Sequence, residues 1–479
     1  MHGKPILIGW ASRDITPEKK VSLSGQFHVR ISERINDPLT TTVLALESTD
    51  GREQAFIVSL DAIWVSDSLM NQWREKLKIE LPEFDSEKLL ISATHTHTAP
   101  SQLSAVFSDP PNLRTDIMPD EEYTNFLSTK IIVAVVEAWK SRKSGAIGWG
   151  RGYAVVGFNR RVSYFDGISE MYGKTDKPDF SHIEGCEDHG VDLLFTYDVE
   201  HKLTGMIVNV PCPSQCTEGA SFISADYWHE TRCEIRKKHG KKLFILPQCA
   251  AAGDQSPRTM VNRLADARML KLKGYGEEYN QARRQDIADK IAAAVDEVLP
   301  PVAKDIRDKV EFGHRVSRIN LPLRHVTDAD FEEAKRQVSE WRDKLVEFKD
   351  KEPFSAEYST AFKRRDFNQA VVEMYEAQKK GRQFLPVELH TLRLGDIVFC
   401  SNRFEYFLDY GVRIKVRSKA IQTFMIQLAG NGTYLPTERA MKGGGYGAYV
   451  ASTPVGPDGG QMVVEEHLKV IDELFHGSE

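Results

Sequence analysis

Two histidines separated by one residue, His95 and His97, are the first candidates for chemistry in this sequence. They follow the run Lys88 to Ala93, which has the composition of a buried strand. Residues two apart on an extended chain point the same way, so both imidazoles would face one site. One could bind a metal while the other contacts a substrate. A pair of polar loop histidines has the same pattern, so the motif alone leaves both interpretations open.

A second candidate is the run Gly253-Asp-Gln-Ser-Pro257, which follows the short apolar strand Lys242 to Leu246. Small residues after a buried strand allow a tight turn, and Asp254 and Ser256 could then present two oxygens at a cleft. No G-x-S-x-G motif is present, and no Ser-His-Asp order emerges. A purely structural turn is the alternative interpretation.

A third candidate lies after the strand-like run Met206 to Val210, where prolines flank Cys212. Cys212, Cys216 and His229 suggest a structural zinc site, but no second Cys or His pair follows at zinc-finger spacing. The spacing therefore favours a small buried cysteine at position 212.

Alternating short β-rich runs and helical segments predict a mixed sheet covered by helices, and thus an α/β fold. Gly395-Asp396 is a good two-residue turn between two of the strands. The predicted strands are 42–46, 55–60, 88–93, 145–156, 191–197, 205–210, 387–394 and 397–400, and the predicted helices of this part are 67–79 and 120–140.

Two long polar helices, 327–349 and 355–380, lie between the β-rich parts. Their charge predicts an exposed helical hairpin, inserted at about 327–380. No repeat or Pro/Gly/Ser linker separates independent units, so residues 1–479 are predicted to form a single catalytic domain.

Composition excludes several classes of function. The formal net charge is −6 and the basic residues are scattered, which argues against a nucleic-acid partner. No apolar run approaches the roughly 20 residues that a transmembrane helix needs. Six unevenly spaced cysteines do not form a disulfide framework in a chain of 479 residues, which favours a reducing, cytoplasmic location. A secreted or periplasmic origin remains the alternative if a signal peptide was removed.

Together, these pieces resemble the neutral, non-lysosomal ceramidase family, whose motifs occur here in the family's order over about residues 5 to 465. The likeness implies the mixed α/β catalytic fold of that family. The matching segments are Gly9 to Pro17 with its Asp-Ile-Thr, Asp37-Pro-Leu39, the histidine motif, Phe158-Asn-Arg160 and Gly253-Asp-Gln-Ser-Pro257.

The resemblance implies a zinc ion held by His95, Glu405 and Tyr434. The family has a histidine as the remaining ligand, after the strand that here ends at Val210, and the nearest equivalent is Cys212. A thiolate would complete a four-ligand site but would donate more charge and soften the Lewis acid.

The resemblance also implies that Ser256 sits at the reaction centre, with His97, Arg160 and Tyr446 around the scissile carbonyl. Tyr449 competes with Tyr446 for that place. The role of Ser256, as a nucleophile or as a hydroxyl that positions the substrate, stays open.

These features predict a zinc-dependent hydrolase that cleaves an amide bond of a small-molecule or lipid-like N-acyl substrate. The immunoglobulin-like C-terminal domain of ceramidases has no counterpart in the sequence, which favours a smaller, soluble substrate. Two alternatives remain: a metallohydrolase of esters or lactams on the same scaffold, and a non-catalytic relative that binds a ligand. For the second, the deciding feature is whether Cys212 lies with the other ligands or faces the core.

Overall fold

Two β-sheets pack face to face between two groups of helices. The computed structural model describes residues 3–103, 109–111 and 114–476. Within these residues, strands and helices alternate along the chain. The strands form several sheets, and the two largest contain both parallel and antiparallel pairs. The mixed α/β fold predicted from the sequence is therefore confirmed.

The larger sheet has nine strands and both parallel and antiparallel pairs. The strands Lys4–Asp14 and Lys143–Tyr153 join the two halves of this sheet through three residue pairs, Ile6–Ile8 with 143–145. The sheet bends there, so that its two edge strands approach each other. The strands in spatial order are Phe244–Cys249, Leu203–Val210, Gly190–Asp198, Lys143–Tyr153, Lys4–Asp14, Thr40–Ser48, Gln54–Leu60 and Leu89–Ala93, with Lys309–Val310 beside Lys4–Asp14.

One face of the larger sheet carries helices, and the other face meets a four-stranded sheet. The two faces differ because alternate residues of each strand point to opposite sides. The first group of helices is Asp67–Glu80, Asp120–Lys140, Tyr227–His239 and Tyr279–Val302. The four-stranded sheet is Phe312–Pro322, Phe384–Leu394, Ile397–Ser401 and Gln422–Ile426, covered by helices Leu408–Arg417 and Pro457–His476.

Small sheets and short helices complete the described structure. Among them, Glu405–Tyr406 pairs in parallel with Tyr434–Leu435. The other small sheets are Ser22–Leu23 with Arg30–Ile31, Arg34–Ile35 with Phe222–Ile223, Phe158–Asn159 with Gln255–Ser256, and Arg161–Tyr164 with Ser169–Met171 and Phe180–Ile183. Two short helices, Arg263–Leu272 and Glu438–Gly443, and two 3-10 turns, Ser86–Lys88 and Val450–Ser452, lie outside these layers.

Local sequence signals explain several element boundaries. The helix Asp67–Glu80 begins where the Ser66 side chain accepts a hydrogen bond from the Leu69 amide, as expected of an N-terminal cap. The helix Asp120–Lys140 has three acidic residues in its first turn, where the positive end of the helix dipole stabilises negative charge. The turn predicted at Gly395 is present, and its positive φ of 64° suits glycine.

The two polar helices, Asp328–Glu347 and Ala356–Lys379, pack against each other as a hairpin. The sequence predicts an exposed hairpin, but part of the second helix is buried. The Ser359 hydroxyl accepts a hydrogen bond from the Val29 amide at 3.0 Å, and Phe367 is only 6% exposed. This helix therefore packs against the loop that precedes Arg30–Ile31.

Candidate functional site

Five of the predicted site residues line one pocket at the carboxyl ends of several strands, namely His95, His97, Glu405, Tyr434 and Tyr446, and Arg160 lies beside it in contact with Tyr434. The polar floor is defined here by the buried side chains His95, His97, Arg160, Glu405 and Tyr434. The aromatic wall is defined by Phe27, Phe367 and Tyr446. Lys363 also lines the pocket. A mostly apolar pocket with a few converging polar groups is typical of a small-molecule site.

His95 is held by the loop that follows the neighbouring strand Gln54–Leu60 and lies beside Glu405. Its Nδ1 lies 2.8 Å from the backbone oxygen of Ile63, and its Nε2 lies 3.3 Å from Oε2 of Glu405. The chain is not extended at His95, because its φ is 65°, in the left-handed region. The two imidazoles nevertheless converge, with 3.4 Å between the Nε2 atoms of His95 and His97.

Glu405 and Tyr434 are brought together because they are direct partners in the parallel pair of short strands. Both side chains are buried, and the Tyr434 hydroxyl accepts a hydrogen bond from Arg160, which also lies beside the Glu405 carboxylate. Burial by itself raises the pKa of Glu405, but His95, Arg160 and the Tyr434 hydroxyl outweigh it and lower that pKa. The floor thus keeps one carboxylate ionised away from water.

Arg160 is the principal hydrogen-bond donor of the floor. Its guanidinium donates to the Gly253 backbone oxygen at 2.9 Å and to the Tyr434 hydroxyl at 3.4 Å, and it lies 3.8 Å from Glu405. Burial alone would lower the pKa of Arg160, but the facing oxygens of Tyr172, Tyr434 and Glu405 raise it well above its ordinary value. A permanently charged donor is therefore fixed beside the carboxylate.

His97 is joined to Arg160 through a residue that the sequence interpretation missed, Gln215. The Gln215 amide nitrogen lies 2.6 Å from Nε2 of His97, and its oxygen accepts a hydrogen bond of 2.9 Å from Arg160. Burial, followed by the nearby charges of His95 and Arg30, lowers the pKa of His97 well below its ordinary value. His97 is accordingly neutral at pH 7.

Tyr446, and not Tyr449, lines the pocket. Its ring lies 5.4 Å from that of Tyr434, centroid to centroid, and 6.1 Å from that of Phe27. Phe27 in turn packs edge-on against Phe367 at 5.3 Å. Tyr446 thus connects the aromatic wall to the polar floor.

Cys212 is not brought to the site, and its assignment as a metal ligand is corrected here. The side chain is fully buried in the core, and its thiol donates to the Val156 backbone oxygen at 3.4 Å. Burial raises the pKa of this thiol well above its ordinary value, so the thiolate that a metal needs is disfavoured. Gln215 is the residue of this segment that reaches the floor.

Ser256 is also not among the described residues that line the pocket. It is fully buried, and its Oγ accepts a hydrogen bond of 3.1 Å from the Arg258 amide within the turn. Asp254 accepts hydrogen bonds from the Asn159 side chain and the Leu408 amide. The geometry supports the structural-turn interpretation of this motif, since the two oxygens stabilise the chain rather than face the pocket.

Sequence reasoning missed Gln215 and the contribution of Phe27, Trp64 and Phe367 to the lining. Gln215 and Trp64 each lie within five residues of a strand's carboxyl end, and that position was the available signal. Phe367 lies on a polar helix, and nothing in the local pattern indicates which of its faces is covered.

Two solved ceramidase structures have the same fold as this chain. A ceramidase complexed with C2 gives a TM-score of 0.68 at 15% sequence identity, covering 99% of this chain and 76% of that chain. The neutral ceramidase from Pseudomonas aeruginosa gives 0.70 at 17% identity, covering 98% of this chain and 75% of that chain. No family model matches the sequence, and no curated protein is detectably similar to it. The neutral-ceramidase-like fold is therefore confirmed.

Two further findings bear on the sequence-based expectations. Among the described residues, no helix combines the length and the apolar composition needed to cross a bilayer. In the same part of the chain, no three His, Cys, Asp or Glu side chains form a group that could hold a metal ion.

Proposed function

We propose that this chain is a metal-assisted hydrolase that cleaves an amide bond of an N-acyl compound. The observation that carries this proposal is the contact between His95 Nε2 and Glu405 Oε2, 3.3 Å apart at the base of the pocket. A fold shared with ceramidases supports the same reaction class, although a fold by itself does not determine function.

The hydrogen bonds of His95 support a cation at this contact. A backbone carbonyl only accepts, so the Nδ1 atom that lies 2.8 Å from the Ile63 oxygen carries a hydrogen. In the neutral ring, Nε2 then presents its lone pair to the Glu405 carboxylate. Two acceptors at this distance need a proton or a metal ion between them. A backbone carbonyl that orients the other ring nitrogen is also the usual support of a metal-binding histidine.

The donor set fits zinc when Tyr434 is included. His95, Glu405 and Tyr434 would hold the ion, and three protein ligands is the number that catalytic zinc sites use. When bound, zinc would polarise the amide carbonyl and lower the pKa of a bound water. Cys212 takes no part, and His97 Nε2 is already hydrogen-bonded to Gln215.

The remaining floor residues supply hydrogen bonds and charge. Arg160 lies next to Tyr434 and Glu405 and can stabilise the negative oxygen that develops when an amide carbonyl is attacked. A preorganised donor of this type contributes roughly 2.7–4 kcal/mol to transition-state stabilisation. Tyr446 orients the substrate from the wall. Ser256 is given no role in this reaction, because it does not line the pocket and its Oγ accepts a hydrogen bond from the Arg258 amide.

The lining supports a small N-acyl compound that has an apolar part and a polar part. Phe27, Trp64 and Phe367 offer aromatic surface, whereas Lys363 and Asp109 line the same pocket as an ion pair of 2.6 Å. Both side chains of this pair are largely buried, at 12% and 7% exposure. A polar group at this place suits a soluble substrate better than a lipid with two alkyl chains.

The test combines metal analysis with a substrate panel. Purified protein, prepared without a metal-affinity step, is analysed for bound metal and assayed on N-acyl amides of increasing acyl length, with esters and lactams included. We expect about one zinc per chain in the wild type, its loss in His95→Ala, and preferential hydrolysis of short N-acyl amides. Absence of zinc together with absence of hydrolysis would contradict the proposal, and a preference for esters or lactams would reassign the substrate class.

A second candidate function is ligand binding without catalysis, and the position of Cys212 favours it. This residue faces the core, so the four-ligand site inferred from the resemblance is incomplete. The expected observation for this candidate is that an N-acyl compound raises the unfolding temperature without being consumed, with or without added zinc. Turnover of the same compound would exclude it.

A further inference from the structure

Gln215 lies at the centre of the polar floor, on the segment that follows the strand Leu203–Val210. It is 2% exposed. The segment around it is fixed on both sides, since the Ser214 hydroxyl donates to the Thr94 backbone oxygen at 2.7 Å and the Cys216 amide donates to Asp226. The position of the Gln215 side chain is therefore determined by the fold and not by a flexible loop.

The hydrogen-bond partners of Gln215 determine which way its amide points. The guanidinium of Arg160 can only donate, so the atom of Gln215 that faces it must be the carbonyl oxygen. The amide NH₂ then faces His97, at 2.6 Å from Nε2. Since NH₂ donates, Nε2 of His97 must accept, and the hydrogen of its neutral ring resides on Nδ1. Nε2 of His97 also lies 3.4 Å from Nε2 of His95, which must then carry a proton or bind a metal ion.

The surroundings of His97 Nδ1 agree with this tautomer. Nδ1 is buried without a hydrogen-bond partner among the described residues, and Glu218 Oε2 lies 3.9 Å away. Gly25, with φ of 98°, packs so closely on this edge of the ring that a β-carbon would collide with Nδ1. The ring edge that carries the hydrogen is thus buried beneath Gly25, with the Glu218 carboxylate as the nearby acceptor.

We propose that Gln215 is a positioning residue, which ties His97 to Arg160 and fixes the hydrogen of His97 on Nδ1. The Nδ1–H of His97 then faces the Glu218 carboxylate, 3.9 Å away, and the Gln215 amide holds the His97 ring and the Arg160 guanidinium in one fixed arrangement beside the pocket. Because Gln215 occupies Nε2 of His97, the ligand set of the proposed metal is limited to His95, Glu405 and Tyr434. Only the catalytic consequence rests on the proposed function, since the tautomer is a property of the protein without substrate.

The tautomer is tested by nitrogen NMR on protein labelled with ¹⁵N-histidine, with the signals of His97 identified by their loss in His97→Asn. In the wild type we expect Nδ1 to be protonated and Nε2 to be an unprotonated acceptor. In Gln215→Glu the side chain keeps its size, but the carboxylate can only accept hydrogen bonds. The hydrogen of the His97 ring should therefore move to Nε2. A wild-type hydrogen on Nε2, or an unprotonated Nε2 in Gln215→Glu, would overturn the proposal.

Gln215→Met removes both hydrogen bonds at similar volume and should leave His97 with a mixture of tautomers. Gln248→Met is the matched control, because Gln248 is equally buried but lies in the strand Phe244–Cys249 and contacts Asn209. It should leave the His97 signals unchanged. Identical spectra for wild type and Gln215→Met would count against the positioning role.

Two further measurements separate this inference from the proposed hydrolase. The zinc content of Gln215→Met should equal that of the wild type, and a decrease would contradict the limited ligand set. With the best amide of the panel, kcat should fall by about 10- to 100-fold while KM changes by less than about threefold. If the wild type hydrolyses nothing but the NMR result is as expected, the positioning role stands and the proposed function fails.

Discussion

The polar floor and the aromatic wall of the pocket come from different parts of the chain and use different chemistry. The floor lies on loops and short strands near the carboxyl ends of longer strands. There the buried Glu405 carboxylate contacts both His95 and Arg160. The wall brings one helix of the hairpin over the loop that carries Phe27, through ring contacts of 5.3–6.4 Å. Each such aromatic contact contributes only about 0.5–1.5 kcal/mol.

This difference indicates that the two regions control different properties. Buried charged groups have few tolerated replacements, because removing one partner leaves another charge unpaired away from water. Aromatic surface tolerates replacement by other apolar residues at moderate cost. We therefore expect the floor to determine the reaction and the wall to determine which substrates enter.

The largest effect is expected for Glu405→Gln on the floor. The variant keeps the size and the acceptor oxygen but removes the charge that faces His95 and Arg160, so bound zinc should be lost and turnover should fall more than about 100-fold. Elemental analysis and kcat on the best amide check this. The control is Glu184→Gln, since Glu184 is also 8% exposed but pairs with Arg161 outside this pocket. Equal losses in both variants would mean that general destabilisation explains the result.

A smaller effect is expected for Phe367→Leu on the wall. The lost aromatic contacts with Phe27 and Tyr446 enlarge the pocket, so KM for short N-acyl amides should rise about tenfold while longer acyl chains are accepted better. kcat should change little. Phe331→Leu is the matched control, because Phe331 stacks on Tyr375 within the same hairpin and does not line the pocket. A fall in kcat without any change in chain-length preference would erase the distinction between floor and wall.

Carboxyl groups near the two regions should respond differently to pH. Asp120, behind the wall, has a pKa raised to about 6 by burial and by the charge of Asp109. In the unfolded chain the pKa of an aspartate is about 3.9. Between pH 4 and 6 the folded state therefore binds more protons than the unfolded state, and the free energy of unfolding falls as the pH rises. Asp120→Asn should therefore be more stable than wild type at pH 7, by about 1–2 kcal/mol, and equal to it near pH 4.

Urea unfolding at pH 4, 5, 6 and 7 measures this difference. Glu121→Gln lies in the same first turn of the helix and controls for the helix dipole. A constant difference between Asp120→Asn and wild type at every pH would show that the effect does not come from protonation of Asp120. The floor differs in sign, since burial alone would raise the pKa of Glu405 but His95 and Arg160 lower it below its ordinary value.

The sequence predicted the elements of the fold better than the side chains of the site. Strands 55–60 and 88–93 and the helix 67–79 were found because apolar periodicity and caps act locally. The ceramidase-like motif order then indicated the fold, which depends on elements far apart in the chain. Glu405 and Tyr434 illustrate the limit, because only the pairing of two short strands brings them together.

Where the prediction failed, a single backbone turn decided the outcome. After the strand Leu203–Val210, the chain could present either Cys212 or Gln215 to the floor, and motif position favoured the first. The structure turns the cysteine into the core and the glutamine into the pocket. Likewise, the left-handed φ of His95 depends on the bond to Ile63 in a neighbouring loop and has no signal in the local sequence.

The smallest effect is expected for Cys212→Ala, and it tests this correction directly. The thiol makes a weak hydrogen bond to Val156 and fills a core position, so its loss should reduce the free energy of unfolding by about 1 kcal/mol. Zinc content and kcat should not change, because the side chain lies outside the floor. Cys233→Ala, at an exposed position, should change none of the three quantities. Loss of zinc from Cys212→Ala at unchanged stability would return the cysteine to the ligand set, and the floor would then have to include it.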